Sequence, residues 1–221
     1  MNTGAFPMEM WEKYGIAGYN IASYGNTLPI TYWALQNALD YAKPKLVVLD
    51  VQGVSKSYKL SGNSSDVHTA FDCYSISKTK IEALDDLMDD PNAVDDDGVA
   101  YVDMKWEYLF TLGKYHARWS ELTDTDFHPV YNREKGAKSV IAVADVGDYD
   151  LIDEDMATEE SGQTGFVYLR KIIEDCQARG IDVLLVHLPY PANEQQQMDA
   201  NAVAYIAEDY GLNYIDFVSM D

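Results

Sequence analysis

Two short stretches combine residue types that could do chemistry. "DVHTAFD" holds His68 between Asp66 and Asp72, and "KYHARW" puts His116, Arg118 and Trp119 within four positions. The second offers a titrating ring, a permanent cation and an aromatic plate, a set able to contact a polar substrate. The plainer alternative is that Arg118 pairs with one of the many acids. "SYGNT", Ser23 to Thr27, offers a different chemistry. Gly25 allows a tight turn and a close backbone approach. Asn26 or Thr27 can cap a following helix. The stretch is either an ordinary connection or an anion site built from backbone N–H groups, which makes Gly25 and Asn26 candidate oxyanion or substrate-binding residues. Of the other histidines, His128 precedes a proline in a loop, and His187 lies inside the apolar run "DVLLVHL", where a hydrogen-bonded core imidazole is expected. No Gly-x-Ser-x-Gly elbow, His-x-x-x-His or Cys-x-x-Cys is present. The sequence therefore predicts no metal, no cofactor and no complete catalytic set within the chain.

The elements that must hold these residues follow from hydrophobic periodicity. Gly18–Ala22, Lys45–Val51 and Asp182–Leu188 are short, continuous apolar runs, as in parallel strands buried on both faces, and Asn213–Val218 is a shorter fourth. Lys45–Val51, the least interrupted, is expected at the centre of the sheet. Helical periodicity marks Leu28 to Ala42, Leu169 to Cys176 with a stop at Gly180, and Val203 to Tyr210 with a stop at Gly211. This alternation predicts an α/β fold, a three-layer α/β/α doubly wound parallel sheet. One domain is expected over residues 1–221, interrupted by a large helical and loop insertion at about 53–162. The insertion is predicted to carry a helix at Ser77–Met88 (apolar face Ile81, Leu84, Met88), a helix at Asp103–Trp119 (Trp106, Phe110, Gly113, Ala117) and a strand at Ser139–Ala144. Leaving the sheet at a carboxyl end, where such sheets bind ligands, it is expected to form a wall or lid.

Composition narrows the partners. The 221 residues are 47% apolar and carry a formal charge of −21, from 37 acids against 16 bases. That excludes a nucleic-acid binder, whose phosphates need Lys and Arg, and argues against anionic lipid surfaces. Asp85 to Asp97 and Asp145 to Glu160 carry no base and lack the spacing of a calcium loop, so they read as solvated segments. Two cysteines, Cys73 and Cys176, are too few for a disulfide framework, and either a free pair or one bridge satisfies the sequence.

The stretches "GYNIASYGNTLPITYWALQNALDYAKPKLVVLDVQG", "LRKIIEDCQARGIDVLLVHLPYP" and "YIAEDYGLNYIDF" resemble the SGNH/GDSL-type serine hydrolases, above all the bacterial cell-envelope esterase and O-acyltransferase members. His-x-x-Phe-Asp (His68–Asp72) and Tyr-His-x-Arg-Trp (Tyr115–Trp119) are also similar to patterns in that group's insertion. The resemblance implies a flavodoxin-like sheet, an acyl-serine intermediate and an acylated small molecule or cell-envelope polysaccharide as substrate. It implies an extracytoplasmic location and a membrane-bound acyl-transfer partner for the full-length protein. Gly25 matches the glycine of the family's second block, and His68, His116, Arg118 and Trp119 become expected lid or substrate contacts. Gly53 fits the third block, but Val54 and Ser55 stand where Asn-Asp belongs, with Gln52 the nearest amide. "MNTGAFPMEMWEKYG" is similar to the segment directly after the family's nucleophile block, and the closing Asp-x-x-His has no counterpart. The catalytic Ser, Asp and His are thus expected outside this chain, and Gly18–Ala22 corresponds to the family's second strand. Two rivals accompany this reading. One is a non-catalytic module of the same fold that binds a glycan or partner. The other is a flavodoxin-like nucleotide binder, disfavoured by Lys13 being the lone base before Leu28.

Overall fold

The computed structural model describes residues 5–128, 134–138, 150–158 and 163–218. It is a mixed α/β structure with a small parallel sheet. The chain divides into two compact units, Met1–Asn26 with Trp33–Asn37 and Leu60–Ile141, and Thr27–Tyr32 with Ala38–Lys59 and Ala142–Asp221. The expected strand at Ser139–Ala144 lies outside the described residues. No described helix is long and apolar enough to cross a membrane.

The second unit holds the sheet. β1 (Leu46–Asp50) pairs in parallel with β2 (Asp182–His187), and β2 with β3 (Asn213–Asp216), in the order β1-β2-β3. β2 is therefore central and β1 lies at an edge among the described residues, which corrects the central position expected for Lys45–Val51. Nor is β1 buried on both faces: Leu46 and Val48, two residues apart on one face, are 48% and 41% exposed. An apolar run reports the burial a strand is built for, whereas its place in the sheet depends on which other segments pair with it.

The crossover helices end where glycine predicts. α8 (Thr164–Ala178) buries Leu169, Ile172, Ile173 and Cys176, and the chain then turns through Gly180 at φ 68° so that Ile181 N–H reaches Cys176 O. α9 (Glu194–Tyr210) starts from Asn193, whose side chain accepts from Gln196 N–H while Gln196 answers on the Asn193 N–H. It stops at Gly211, φ 64°, with Leu212 N–H bonded to Ala207 O at 2.8 Å. Between β1 and α8 the backbone makes a 3-10 turn, Gln52–Ser55. Gly165 packs straight onto the Val54 carbonyl, where a Cβ would collide, and Thr164 Oγ1 donates to Ser57 O at 2.7 Å. The start of α8 thereby fixes the turn that leaves β1.

The first unit is helical. α1 (Pro7–Tyr14) opens on proline and stops at Gly15. α2 (Leu28–Leu39) contributes Trp33–Asn37 to this unit and its other residues to the sheet unit. Gly18–Ala22 is not a strand: the Asn20 side chain donates to Ala5 O and accepts from Ala22 N–H, and Asn20 N–H bonds to Lys135 O. A strand needs a ladder partner, and none of the described strands supplies one here. α3 (Ser64–Phe71) and α4 (Lys78–Leu87) are capped by Asn63 and Ser77. On α4, Leu84 and the capping Met88 are buried as expected, but Ile81 is exposed and Ala83 and Leu87 complete the inner face. The helix expected at Asp103–Trp119 breaks at Phe110 into α5 (Tyr101–Leu109), α6 (Thr111–Tyr115) and a 3-10 segment, His116–Ser120. Its expected apolar face also points outward. Trp106 is 68% exposed, while Tyr101, Met104 and Tyr108 are buried. Tyr101 and Tyr108 win the inner face because each phenol reaches a carbonyl there, Ser61 O at 2.6 Å and Ser64 O at 3.4 Å. A last turn, α7 (Asp124–Phe127), starts from a reciprocal Thr123–Asp126 cap.

Candidate functional site

The carboxyl ends of β1 and β2 open onto a small crevice in the sheet unit. Its walls are Val51, Gln52, Val54 and Ser55 after β1, His187 and Tyr190 at the end of β2, and Gln196, Asp199 and Ala200 on α9. Gln52, Ser55, Tyr190 and Gln196 are exposed or half-buried, and the remaining polar groups, His187 and Asp199, are buried. Pro189 and Pro191 flank Tyr190 in the short link between β2 and Asn193, the cap that starts α9.

His187 is 3% exposed and fully engaged. Its Nδ1 lies 3.2 Å from Asp216 Oδ1 and its Nε2 3.3 Å from Tyr190 Oη. A carboxylate only accepts, so Nδ1 carries the proton and Nε2 accepts from the phenol. Burial, then the charges of Asp199, Asp50 and Asp216, push the Tyr190 phenol up to about 12. Tyr190 therefore stays protonated and donating at neutral pH, with its oxygen lone pairs available. The core role expected for His187 matches this geometry. Its carboxylate partner, 29 positions away in the chain, carries no local sequence signal.

Asp199 is the unusual member. It is 2% exposed, with Oδ1 accepting from Thr158 Oγ1 at 2.7 Å and from Gln195 Nε2 at 3.2 Å. Its Oδ2 is buried with no hydrogen-bond partner among the described residues. Sequence reading missed Asp199, which looks like one more acid in an acidic helix.

The residues that the sequence nominated lie in the first unit. Gly25 has φ 62°, as a tight turn requires, and the Asp66 carboxylate sits against it where a Cβ would fall. A carboxylate beside that turn repels an oxyanion instead of holding one. Asn26 Oδ1 is buried without a partner among the described residues, and the helix cap comes from Thr27, whose Oγ1 accepts from Ile30 N–H. His116 Nδ1 donates to Gly113 O at 2.7 Å, Arg118 pairs with Asp126, and Trp119 is exposed. The Arg118 pair is the plain alternative foreseen for it. His68 belongs to a different group. Its Nδ1 is 3.0 Å from both Asp72 oxygens, its ring stacks on Tyr108 at 3.9 Å, and Tyr115 Oη donates to Asp72 Oδ2 at 2.7 Å. The two motifs His68–Asp72 and Tyr115–Trp119 thus meet through Asp72 and Tyr115, which both belong to the quoted patterns but were not among the nominated contacts. His68 Nε2 is buried and has no partner among the described residues. No cluster of three or more metal-ligating side chains occurs among them.

The chain matches no protein-family model, no curated protein and no solved structure.

Proposed function

We propose that this chain is the sheet-forming and substrate-facing part of an SGNH-type esterase or O-acyltransferase that acts on acylated cell-envelope glycans. The observation that carries the reading is the strand order. In a flavodoxin-like sheet of order 2-1-3-4-5, the last three strands are adjacent, parallel and in chain order. β1, β2 and β3 have that arrangement, and they are the segments for which the resemblance implies third, penultimate and final positions. On this reading the strand bearing the nucleophile is supplied from outside the 221 residues. It would pair along the outer edge of β1. Serine would attack the acyl carbonyl as histidine takes its proton, the ester C–O bond would break with histidine returning that proton to the departing alcohol, and a sugar hydroxyl or water, deprotonated by the same histidine, would then take the acyl group and free the serine.

The test is esterase activity. The 221-residue chain should not turn over p-nitrophenyl acetate above buffer, and a polypeptide extended at both ends along its reading frame should do so. Extended protein that folds but hydrolyses no ester would remove the reading. The second reading, a glycan-binding module, draws support from the stacked pair Trp106–Phe110, rings 5.7 Å apart and 17° from parallel, exposed at the carboxyl end of α5.

A further inference from the structure

We propose that the open edge of β3 takes up an extended peptide with cationic side chains, which joins the sheet as a further strand inside an acid-lined groove. This goes beyond the acyl-transfer reading and does not depend on it.

The groove lies within the sheet unit and holds about 590 Å³ of space, the size of a ligand pocket. Its walls include Tyr214, Ile215 and Asp216 of β3, Glu208 on α9, and the turn residues Glu154 and Asp155. Successive residues of a strand point to opposite faces, so a groove that touches Tyr214, Ile215 and Asp216 together runs along the strand's edge. That edge is open: β3 pairs with β2 on one side and with no described strand on the other. In a parallel ladder alternate residues turn both backbone groups to the neighbouring strand. Phe217 N–H donates to His187 O at 2.9 Å, so Ile215 and Phe217 face β2, and Tyr214 between them and Asn213 turns its N–H and C=O outward. No described residue bonds to that pair. An extended chain alongside β3 would take up both groups, as in strand addition to a sheet edge.

Charge selects the occupant. Glu154, Asp155, Glu208 and Asp216 line the groove, and no described Lys, Arg or His does. The two acids of the turn are held in place. Met156 N–H closes the turn on Asp153 O at 3.0 Å, and Asn201 Nδ2 on α9 donates to Asp153 O at 3.1 Å and to Met156 O at 2.9 Å. Unbalanced acids around one groove favour a cation and repel an anion. They do not gather as metal ligands would, since no cluster of three or more such side chains occurs among the described residues, so the fitting cation is spread along a chain. A second copy of β3 would bring the same acids against themselves, which disfavours self-pairing. A lysine-bearing extended backbone supplies main-chain partners for Tyr214 and ammonium groups for the acids.

The probe is acetyl-Lys-Val-Lys-Val-Lys-amide, followed by amide chemical shifts of the 221-residue chain. The proposal expects saturable shifts at Tyr214, Ile215 and Glu208, with slowed hydrogen exchange at Tyr214. The same peptide N-methylated along its backbone keeps the charge and loses the main-chain donors, and should bind at least about tenfold more weakly. Acetyl-Glu-Val-Glu-Val-Glu-amide should not bind. Glu154→Gln combined with Glu208→Gln, both at exposed positions where the fold tolerates change, should weaken binding of the lysine peptide about fivefold. Undiminished binding in that variant, or equal shifts from the acidic peptide, would overturn the proposal by removing charge as the selector. Equal binding of the N-methylated peptide, or of spermidine, would overturn it in favour of a plain cation groove without strand addition. A peptide-free dimer in sedimentation that protects Tyr214 and excludes the peptide would overturn it in favour of a second copy. No saturable shift at all would equally overturn it.

Discussion

His187 and Asp216 are register partners on the adjacent parallel strands β2 and β3, and their side chains meet on one face with Nδ1 3.2 Å from Oδ1. The same Asp216 oxygen accepts from Val218 N–H at 2.9 Å, so one carboxylate ties the imidazole to the backbone leaving the sheet.

Removing that carboxylate should therefore be expensive. Asp216→Ala leaves the Nδ1 proton of a buried ring without an acceptor, and a loss of about 1–3 kcal/mol in unfolding free energy is expected. Urea denaturation measures it. An unchanged midpoint would mean that the pair contributes nothing and that the sheet alone orders the ring.

Gly165 tests how the crevice wall is held. A Cβ at that position would run into the Val54 carbonyl, which is backbone and cannot swing aside. Gly165→Ala should cost about 1–3 kcal/mol despite alanine's better helix propensity. Circular dichroism melting would show a lowered midpoint. A raised midpoint would show that α8 and the turn after β1 are not in close register.

Three phenols whose ionised form is disfavoured in the fold set an alkaline limit. Tyr101, Tyr115 and Tyr190 are each pushed up to about 12, burial being the largest cause, followed by nearby carboxylates. An unfolded tyrosine loses its proton near pH 10. Above that pH the folded chain holds protons that the unfolded chain has lost, so stability falls as pH rises and goes on falling through about 12. Unfolding midpoints measured from about pH 9 to about pH 11 should decline, less steeply in Tyr190→Phe. A flat profile would show that neither partial burial nor the nearby carboxylates hold these phenols protonated.

Much of the sheet unit was legible because its signals are local. Lys45–Val51 and Asp182–Leu188 each contain the observed strand, and Gly180 and Gly211 end α8 and α9 with the positive φ that glycine allows. The first unit was less legible for a physical reason. Trp106 and Phe110 have the spacing of a buried stripe, yet Tyr101, Met104 and Tyr108 take the core, because two phenols find carbonyl partners there. Gly18–Ala22 has strand composition but pairs with none of the described strands, and composition does not encode pairing. The crevice was hidden for the same kind of reason. His187, Asp216 and Asp199 are separated in sequence, and what distinguishes Asp199 is a buried oxygen with no hydrogen-bond partner among the described residues, which no spacing reveals.

A fluorophosphonate probe, which forms a covalent bond with an activated serine, tests the acyl-transfer account most directly when read by intact mass and peptide mapping. The account predicts an unmodified 221-residue chain, and a single modified serine ahead of Met1 in a polypeptide extended at both ends along the reading frame. Modification of a serine within the chain, with Ser23 and Ser55 the ones to map first, would contradict it, and so would an extended, folded polypeptide that stays unmodified.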